Sequence, residues 1–239
     1  MDSGKIKTPI FIISFNRYTM LRAVIERLME LKQERIVVID NHSSYEPLLE
    51  YYEEMKRTIE VLRMAENFGH NVMGRLFQDS NFVSKYNLDR CNFIYTDSDI
   101  LPTKECPPDF VEKFNEILGR HRDIAKVGLS LRIDDLPDSF KAKEGVIIWE
   151  SQYWAEKIHD QVLGIELFRA AIDTTFACQR ANTRPGWTNR SFRTGKPYLA
   201  HHLAWYIDSG NLSDEEKYYV ETAEKKETHF PSRYKEARG

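Results

Sequence analysis

Three stretches of the chain carry side chains whose types and spacing could do chemistry. Asp97-Ser98-Asp99 sets two carboxylates at i and i+2, so in an extended segment both project to one side and can address one divalent cation or one hydroxyl-bearing ligand. Hard oxygen donors of this kind suit Mg2+ or Mn2+ held partly by protein and partly by phosphate. The competing account is a turn, because Asp and Ser form Asx-turns at strand ends. The second stretch, residues 174–207, contains no Asp or Glu, although acids make up 37 of the 239 residues. It carries Arg180, Arg184, Arg190, Arg193 and Lys196, a local cationic block of the kind a diphosphate requires. For any single arginine an ordinary basic surface loop accounts for it as well. The third stretch is His201-His202-Leu203-Ala204-Trp205-Tyr206, where an imidazole can complete a carboxylate site for Mn2+. Neighbouring residues on a strand face opposite sides, so one histidine at most reaches a given site; a histidine beside aromatics otherwise reads as packed core.

These groups need elements to position them. Residues 9–15 are a continuous apolar run ending in Ser14-Phe15-Asn16-Arg17, as a strand buried on both faces would show. Leu21, Val24, Ile25, Leu28 and Leu31 recur at helical spacing, and a β-branched run at 36–39 ends in Asp40-Asn41-His42-Ser43-Ser44, completing a β-α-β unit. Leu48, Leu49, Tyr52 and Met55 mark a helix, residues 60–65 a strand ending in Glu66-Asn67-Phe68-Gly69, and 72–86 one further helix. A fourth strand at 92–96 stops at Asp97. Alternation of this kind implies a parallel sheet covered by helices on both faces, with ligands bound outside the carboxyl ends of the strands. The polar clusters all fall at such ends, so the topology would gather them in one crevice. Further on, a helix carries Phe110, Val111, Phe114, Ile117 and Leu118, and residues 126–133, 145–149 and 166–172 read as strands. Ser213 with Glu216 is a capping box opening a charged C-terminal helix, whose run at 224–227 reads as a solvated face.

Composition narrows the class. The 34 basic and 37 acidic residues leave a net charge of -3, with 41% hydrophobic content, as in an ordinary soluble globular chain. There is no global cationic field, so no nucleic-acid partner is expected, and any polyanion must be met locally. Cys91, Cys106 and Cys178 are odd in number and never paired as C-x-x-C, which suggests neither a disulfide framework nor a thiolate zinc site. With no signal-like segment and no apolar run of about 20 residues, the expected location is cytoplasmic, with peripheral membrane contact left open. The absence of repeats and linkers points to one main domain over residues 1–212, followed by a charged helix and tail over 213–239.

Taken together, these motifs resemble a family. The order Ser14-Phe15-Asn16-Arg17, Asp40-Asn41-His42-Ser43-Ser44, Asn67-Phe68-Gly69, Asp97-Ser98-Asp99, Asp173-Thr174-Thr175-Phe176 and Arg193-Thr194-Gly195-Lys196 leading into His202 looks like a GT-A fold, family-2-like nucleotide-sugar glycosyltransferase of the small bacterial and viral kind. The resemblance implies an α/β, Rossmann-like, mostly parallel mixed sheet flanked by helices on both faces. It also implies a nucleotide site formed by Ser14, Phe15, Asn16, Arg17 and Asp40 around the base, with Asn67, Arg75, Asp97 and Ser98 lining it and Arg193 or Lys196 at the diphosphate. Asp97, Asp99 and His202 would hold Mn2+ or Mg2+. Asp173 is the candidate base, with Glu150, Asp134 and Asp135 as rivals, because the Glu-Asp pair that marks the base in many relatives is missing. The implied partners are a nucleoside-diphosphate sugar, UDP-sugar favoured, and a glycan or glycolipid acceptor.

The chemistry suits these parts. Breaking the anomeric bond leaves charge on the β-phosphate that a metal and a cation stabilise, while a carboxylate deprotonates the attacking hydroxyl, giving inversion in one displacement. Tyr153, Trp154 and Trp187 could stack on a sugar ring. Two alternatives keep the fold. A non-catalytic nucleotide- or carbohydrate-binding module would lack turnover, and a sugar-1-phosphate nucleotidyltransferase would want a glycine-rich signature after the first strand that Ser14-Phe15-Asn16-Arg17-Tyr18 does not have.

Overall fold

The computed structural model describes residues 7–158 and 164–223; the charged run at 224–227 and His159-Asp160, a dipeptide that by itself is a very weak sign of a metal phosphohydrolase, lie outside the described residues. The first strands, β1 (Ile10–Ser14) and β2 (Ile36–Asp40), form from β-branched runs that favour extended backbone, and β3 (Glu60–Arg63) pairs beside β2. Helix α1 (Tyr18–Glu30) crosses between β1 and β2, burying Met20, Leu21, Val24, Ile25 and Leu28 on one stripe. Each such side chain contributes roughly 1.5–3 kcal/mol on leaving water. Helix α2 (Glu46–Met55) follows β2 in the same way.

The helix expected over 72–86 is two. α3 (Val72–Leu76) ends before Asp79, which caps α4 (Ser80–Tyr86) by accepting the Asn81 amide at 2.9 Å. β4 (Phe93–Asp97) then runs beside β1, a turn at Ser98-Asp99 leads to β5 (Ile100–Pro102), and α5 (Phe110–Arg120) buries the five apolar residues expected of it.

The second half departs further from expectation. β6 (Lys126–Leu131) is the anticipated strand, but residues 145–149 belong to α6 (Lys143–Ser151). The apolar run Val146-Ile147-Ile148-Trp149 has strand-like composition; Val146 and Glu150, one turn apart, are the residues α6 buries, while Ile148 and Trp149 are exposed. β7 (Lys157–Ile158), β8 (Leu167–Arg169), β9 (Ala177–Gln179) and the long β10 (Ser191–His202) complete the sheet, and α7 (Asp214–Thr222) begins with the expected capping box.

The sheet order is β3-β2-β1-β4-β9-β6-β10-β8-β7, with β5 also paired to β10. β1, β2, β3 and β4 are mutually parallel, as are β6 and β10; β9 runs antiparallel between β4 and β6. The α/β reading of a mixed, mostly parallel sheet with helices on both faces therefore holds. α1, α2 and α5 pack on the face of Ile10, Ile12, Val38 and Val127; α3 and α4 pack on the face of Phe11, Ile13, Val37 and Phe93. Among the described residues no helix is long and apolar enough to cross a membrane, and the three cysteines are free.

Candidate functional site

Because β1, β2 and β4 are parallel, their carboxyl ends open on one edge, and a cleft of about 170 Å3 lies there. It is lined from β1 by Ile13, Phe15 and Arg17, from β2 by Asn41, from the β3 turn by Asn67, Gly69 and His70, and from β4 by Asp97, Ser98 and Asp99. Tyr219 and Ala223 of the C-terminal helix close one side.

Asn16 shapes this edge without lining it. Its backbone is left-handed, at φ 49°, a conformation Asn tolerates. The side-chain oxygen accepts the Ser44 and Tyr45 amides at 2.7 and 3.0 Å, and its amide nitrogen donates to Thr222 Oγ1 at 2.9 Å. One residue thus ties the end of β1 to the start of α2 and to α7. Thr19 donates to Glu215, and the Tyr45 and Tyr218 rings meet at 5.1 Å, so α7 lies against the loops that rim the cleft.

Arg17 is buried against three groups. Nη1 donates to Asp99 Oδ2 at 2.6 Å and to Met20 Sδ at 3.4 Å, and the guanidinium lies 3.9 Å from the Tyr219 ring centre. Asp97 Oδ2 accepts the Thr174 hydroxyl at 2.5 Å. Burial, then the neighbouring Asp99 charge, push the Asp97 carboxyl above the usual range, against the Thr174 hydroxyl and Arg17. Asp99 Oδ1 is buried with no hydrogen-bond partner among the described residues.

That orphaned oxygen is a test of fit for a divalent cation. Asp97 and Asp99 supply two hard carboxylates on the cleft wall, enough for Mg2+ or Mn2+ shared with phosphate oxygens. His202 does not join them into a three-ligand set. Its Nε2 stands 3.9 Å from Asp99 Oδ2, its ring stacks on Trp205 at 4.5 Å, and among the described residues no three His, Cys, Asp or Glu side chains converge as metal ligands. His201 turns the other way, to Asp135 at 3.5 Å. The Asp-Ser-Asp segment is also less extended than expected, since Ser98 and Asp99 already form the turn into β5.

Several expected nucleotide-site residues stand elsewhere. Ser14 and Asp40 are fully buried beneath the cleft, and the Asp40 carboxylate is engaged by Tyr52 at 3.1 Å, Arg63 at 3.0 Å and the Ser43 amide. Arg75 is exposed over the Phe68 ring. Arg193 is sealed in the second half of the sheet, bonded to Glu150 at 3.0 Å and the Ala171 carbonyl at 3.1 Å, and lying 3.9 Å from the Tyr153 ring. Lys196 is exposed and pairs with Asp134. The acid-free block does not gather into a phosphate patch: Arg180 binds the carbonyls of Leu118, His121 and Ile124, and Arg190 that of Asp123. Arg180 and Arg190 fasten loops at the opposite edge, and among the described residues the arginine that lines the cleft is Arg17.

β9 runs antiparallel, so its start lies on the same edge as the end of β4. This brings Asp173 beside the cleft, one residue from the Thr174 that bonds Asp97. Asp173 is exposed and its carboxylate forms no ion pair among the described residues. The rivals are engaged: Glu150 by Arg193, Asp134 by Arg132 and Lys196, Asp135 by Arg132 and Tyr206. The 173–176 loop is tightly held. Phe176 is fully buried at φ 36°, a strained angle for a bulky residue, and a Cβ at Gly128 would stand 2.8 Å from the Thr175 carbonyl. Beyond β6 a second hollow of about 260 Å3 is lined by Arg132, Asp134, Ser151, Trp154, Lys196 and Leu199, among others.

Asn41, His70, Tyr219 and Ala223 were not among the expected site residues. Asn41 was legible within the polar cluster ending β2; its amide bonds Asn67 at 2.6 Å. Tyr219 carries no local signal, since only the docking of α7 brings it to the cleft.

Comparison with known proteins agrees with this reading at the amino-terminal part. The sequence profile of the family described as "Glycosyl transferase family 2" matches residues 10–72, from β1 to the first residue of α3. Over that span the resemblance to family-2-like GT-A glycosyltransferases stands. A solved structure described as "WbbM bifunctional glycosytransferase apo structure" aligns with a TM-score of 0.33 and 13% identity, over 54% of this chain and 24% of that one. The chain thus spans about a quarter of that protein. No curated protein matches in sequence.

Proposed function

We propose that the chain transfers a sugar from a nucleoside-diphosphate donor, UDP-sugar favoured, to a hydroxyl of a glycan or glycolipid acceptor, with inversion at the anomeric carbon. The observation that carries this is the cleft at the ends of β1, β2 and β4. It joins Asp97, Asp99 and Arg17 to Asn41 and Asn67, and its β1–β3 portion is the part matched by the family-2 profile.

Phe15, Asn41, Asn67 and His70 would receive the base and ribose, with Tyr219 as the outer wall. Arg17 would meet the diphosphate, a planar donor fork suited to phosphate oxygens. Asp97 and Asp99, the latter through its unpartnered Oδ1, would hold Mn2+ or Mg2+, which when bound supplies charge stabilisation for the departing diphosphate. Asp173 would accept the proton of the attacking acceptor hydroxyl, since it stands next to the cleft and its carboxylate is not consumed by an ion pair. The hollow beside Trp154, on the far side of Asp173 along the strand-end edge, would take the acceptor. A single carboxylate at that place favours direct displacement over a covalent intermediate.

Thermal shift of the intact chain with UDP, GDP and other nucleoside diphosphates, with and without Mn2+, tests the nucleotide site. A metal-dependent rise with one nucleotide is expected, and no response to any would sink the reading. A screen of nucleotide sugars for slow hydrolysis then identifies base and sugar together. Product NMR showing retained anomeric configuration would overturn inversion.

A further inference from the structure

The segment that carries Asp173 is fastened to the sheet by a side chain the transfer chemistry does not call for. Lys126, the first residue of β6, is completely buried, and its Nζ donates to the Asp173 carbonyl at 2.8 Å, the Gly186 carbonyl at 2.6 Å and the Tyr95 hydroxyl at 2.6 Å. Three donors meet three acceptors, and none of the acceptors is a carboxylate. Tyr95 reinforces the arrangement from β4: its hydroxyl also accepts the Gly186 amide at 2.8 Å, and its ring centre lies 4.5 Å from Nζ.

A buried ammonium without a paired anion is costly, and a methionine of similar length would fill the space without that cost. Burial pushes the Lys126 amine down to about 7, opposed by the charge of Asp173. What the lysine supplies and an apolar residue cannot is a grip on two backbone carbonyls thirteen residues apart, at the two ends of the stretch that contains β9. One end carries Asp173. The other leads directly to Trp187, which is 66% exposed.

We infer that Lys126, with Tyr95, is a positioning residue: it holds the backbone of residues 173 and 186 so that the candidate base is presented at a fixed place beside the cleft. The mechanical half of this stands on the hydrogen bonds alone; the catalytic half rests on Asp173 acting as the base.

The test uses the full chain carrying Lys126→Met, and Tyr95→Phe as a second, milder variant that takes its place in every arm if the first does not fold. Hydrogen exchange reads the grip without activity. Exchange of amides in 173–187 is expected to rise at least tenfold in Lys126→Met and less in Tyr95→Phe, with residues 10–72 unchanged. A uniform rise across the chain, or none, would overturn the inference. In transfer assays kcat is expected to fall ten- to a hundredfold with the donor KM within twofold. In an Asp173→Asn background the same Lys126 substitution should change the rate by less than twofold, because a residue acting through Asp173 has nothing left to position. An equal loss in both backgrounds, with Asp173→Asn itself impaired, would leave Lys126 a core residue only. If Asp173→Asn keeps the wild-type rate, the base assignment fails and hydrogen exchange alone decides the grip.

Discussion

Two buried arginines in this molecule are set in nearly the same way and do different things. Arg17 bonds Asp99 at 2.6 Å and lies 3.9 Å from the Tyr219 ring centre; Arg193 bonds Glu150 at 3.0 Å and lies 3.9 Å from that of Tyr153. Charge, partner type and aromatic cover match. They differ in what is left over. Around Arg193 the carboxylate and the Ala171 carbonyl use the guanidinium, and neither member of the pair lines the cleft or the second hollow. Around Arg17 the pair lies on a cleft wall, and Asp99 keeps one oxygen without a hydrogen-bond partner among the described residues. A buried ion pair is therefore not in itself a site; an ion pair with unspent valence facing a cavity is a candidate for one.

The sharpest way to break this comparison is to cut each pair. Arg193→Met leaves Glu150 sealed without its partner, and removing one member of a buried pair typically costs 3–5 kcal/mol. Urea denaturation should show a loss of about that size, and a loss below about 1 kcal/mol would remove the distinction. Next in size, Asp99→Asn should cost less in stability than Arg193→Met, because its carboxamide oxygen can still accept from Arg17. It should nevertheless lower transfer at least a hundredfold, about 2.7 kcal/mol in the barrier. The aromatic partners should separate in the same direction. Tyr219→Ala is expected to weaken nucleoside-diphosphate binding roughly three- to tenfold by calorimetry, as loss of a cation–π contact of about 1 kcal/mol would, while Tyr153→Ala should leave it unchanged. The smallest effect is in pH dependence. Burial raises the Glu150 carboxyl against the opposing pull of Arg193. Its contribution is therefore fully present below the unfolded value near 4.3 and is lost as pH rises through the higher folded value. The stability difference between wild type and Glu150→Gln, measured from pH 4 upward, should shift with that sign.

Legibility in the sequence followed the range of the interactions. The β1-α1-β2 unit, α2, β4 and α5 were readable because each is fixed by its own periodicity, and the crevice was readable because parallel strands place their ends together. The Asp-Ser-Asp wall and Asn67 came from that topology. α6 was misread as a strand because its β-branched, apolar run says nothing of the Glu150–Arg193 bond that orients it. The acid-free block was misread as a phosphate site because composition cannot tell a guanidinium that binds ligand from one that binds loop carbonyls, as Arg180 does. Ser14 and Asp40 lie at the right strand ends but on the face turned toward Tyr52, a matter of side-chain direction that spacing along the chain leaves open. Tyr219 reached the cleft only through the tertiary docking of α7.

β9 also bears on how the chain reaches this state. The parallel block β3-β2-β1-β4 is complete by residue 97, and its β1–β4 pairing already joins residues as far apart as Ile10 and Ile94. β6 is not joined to it until β9, about eighty residues after β4, slots between the two. Non-local pairings of that span are slow, since loop closure must precede any gain from contact. Two pairings of this span, β1–β4 and β4–β9, must therefore close before the sheet is whole, and the second, made by a three-residue strand, is the one that delivers Asp173. Until β9 is in place the strand ends that line the cleft have no candidate base beside them.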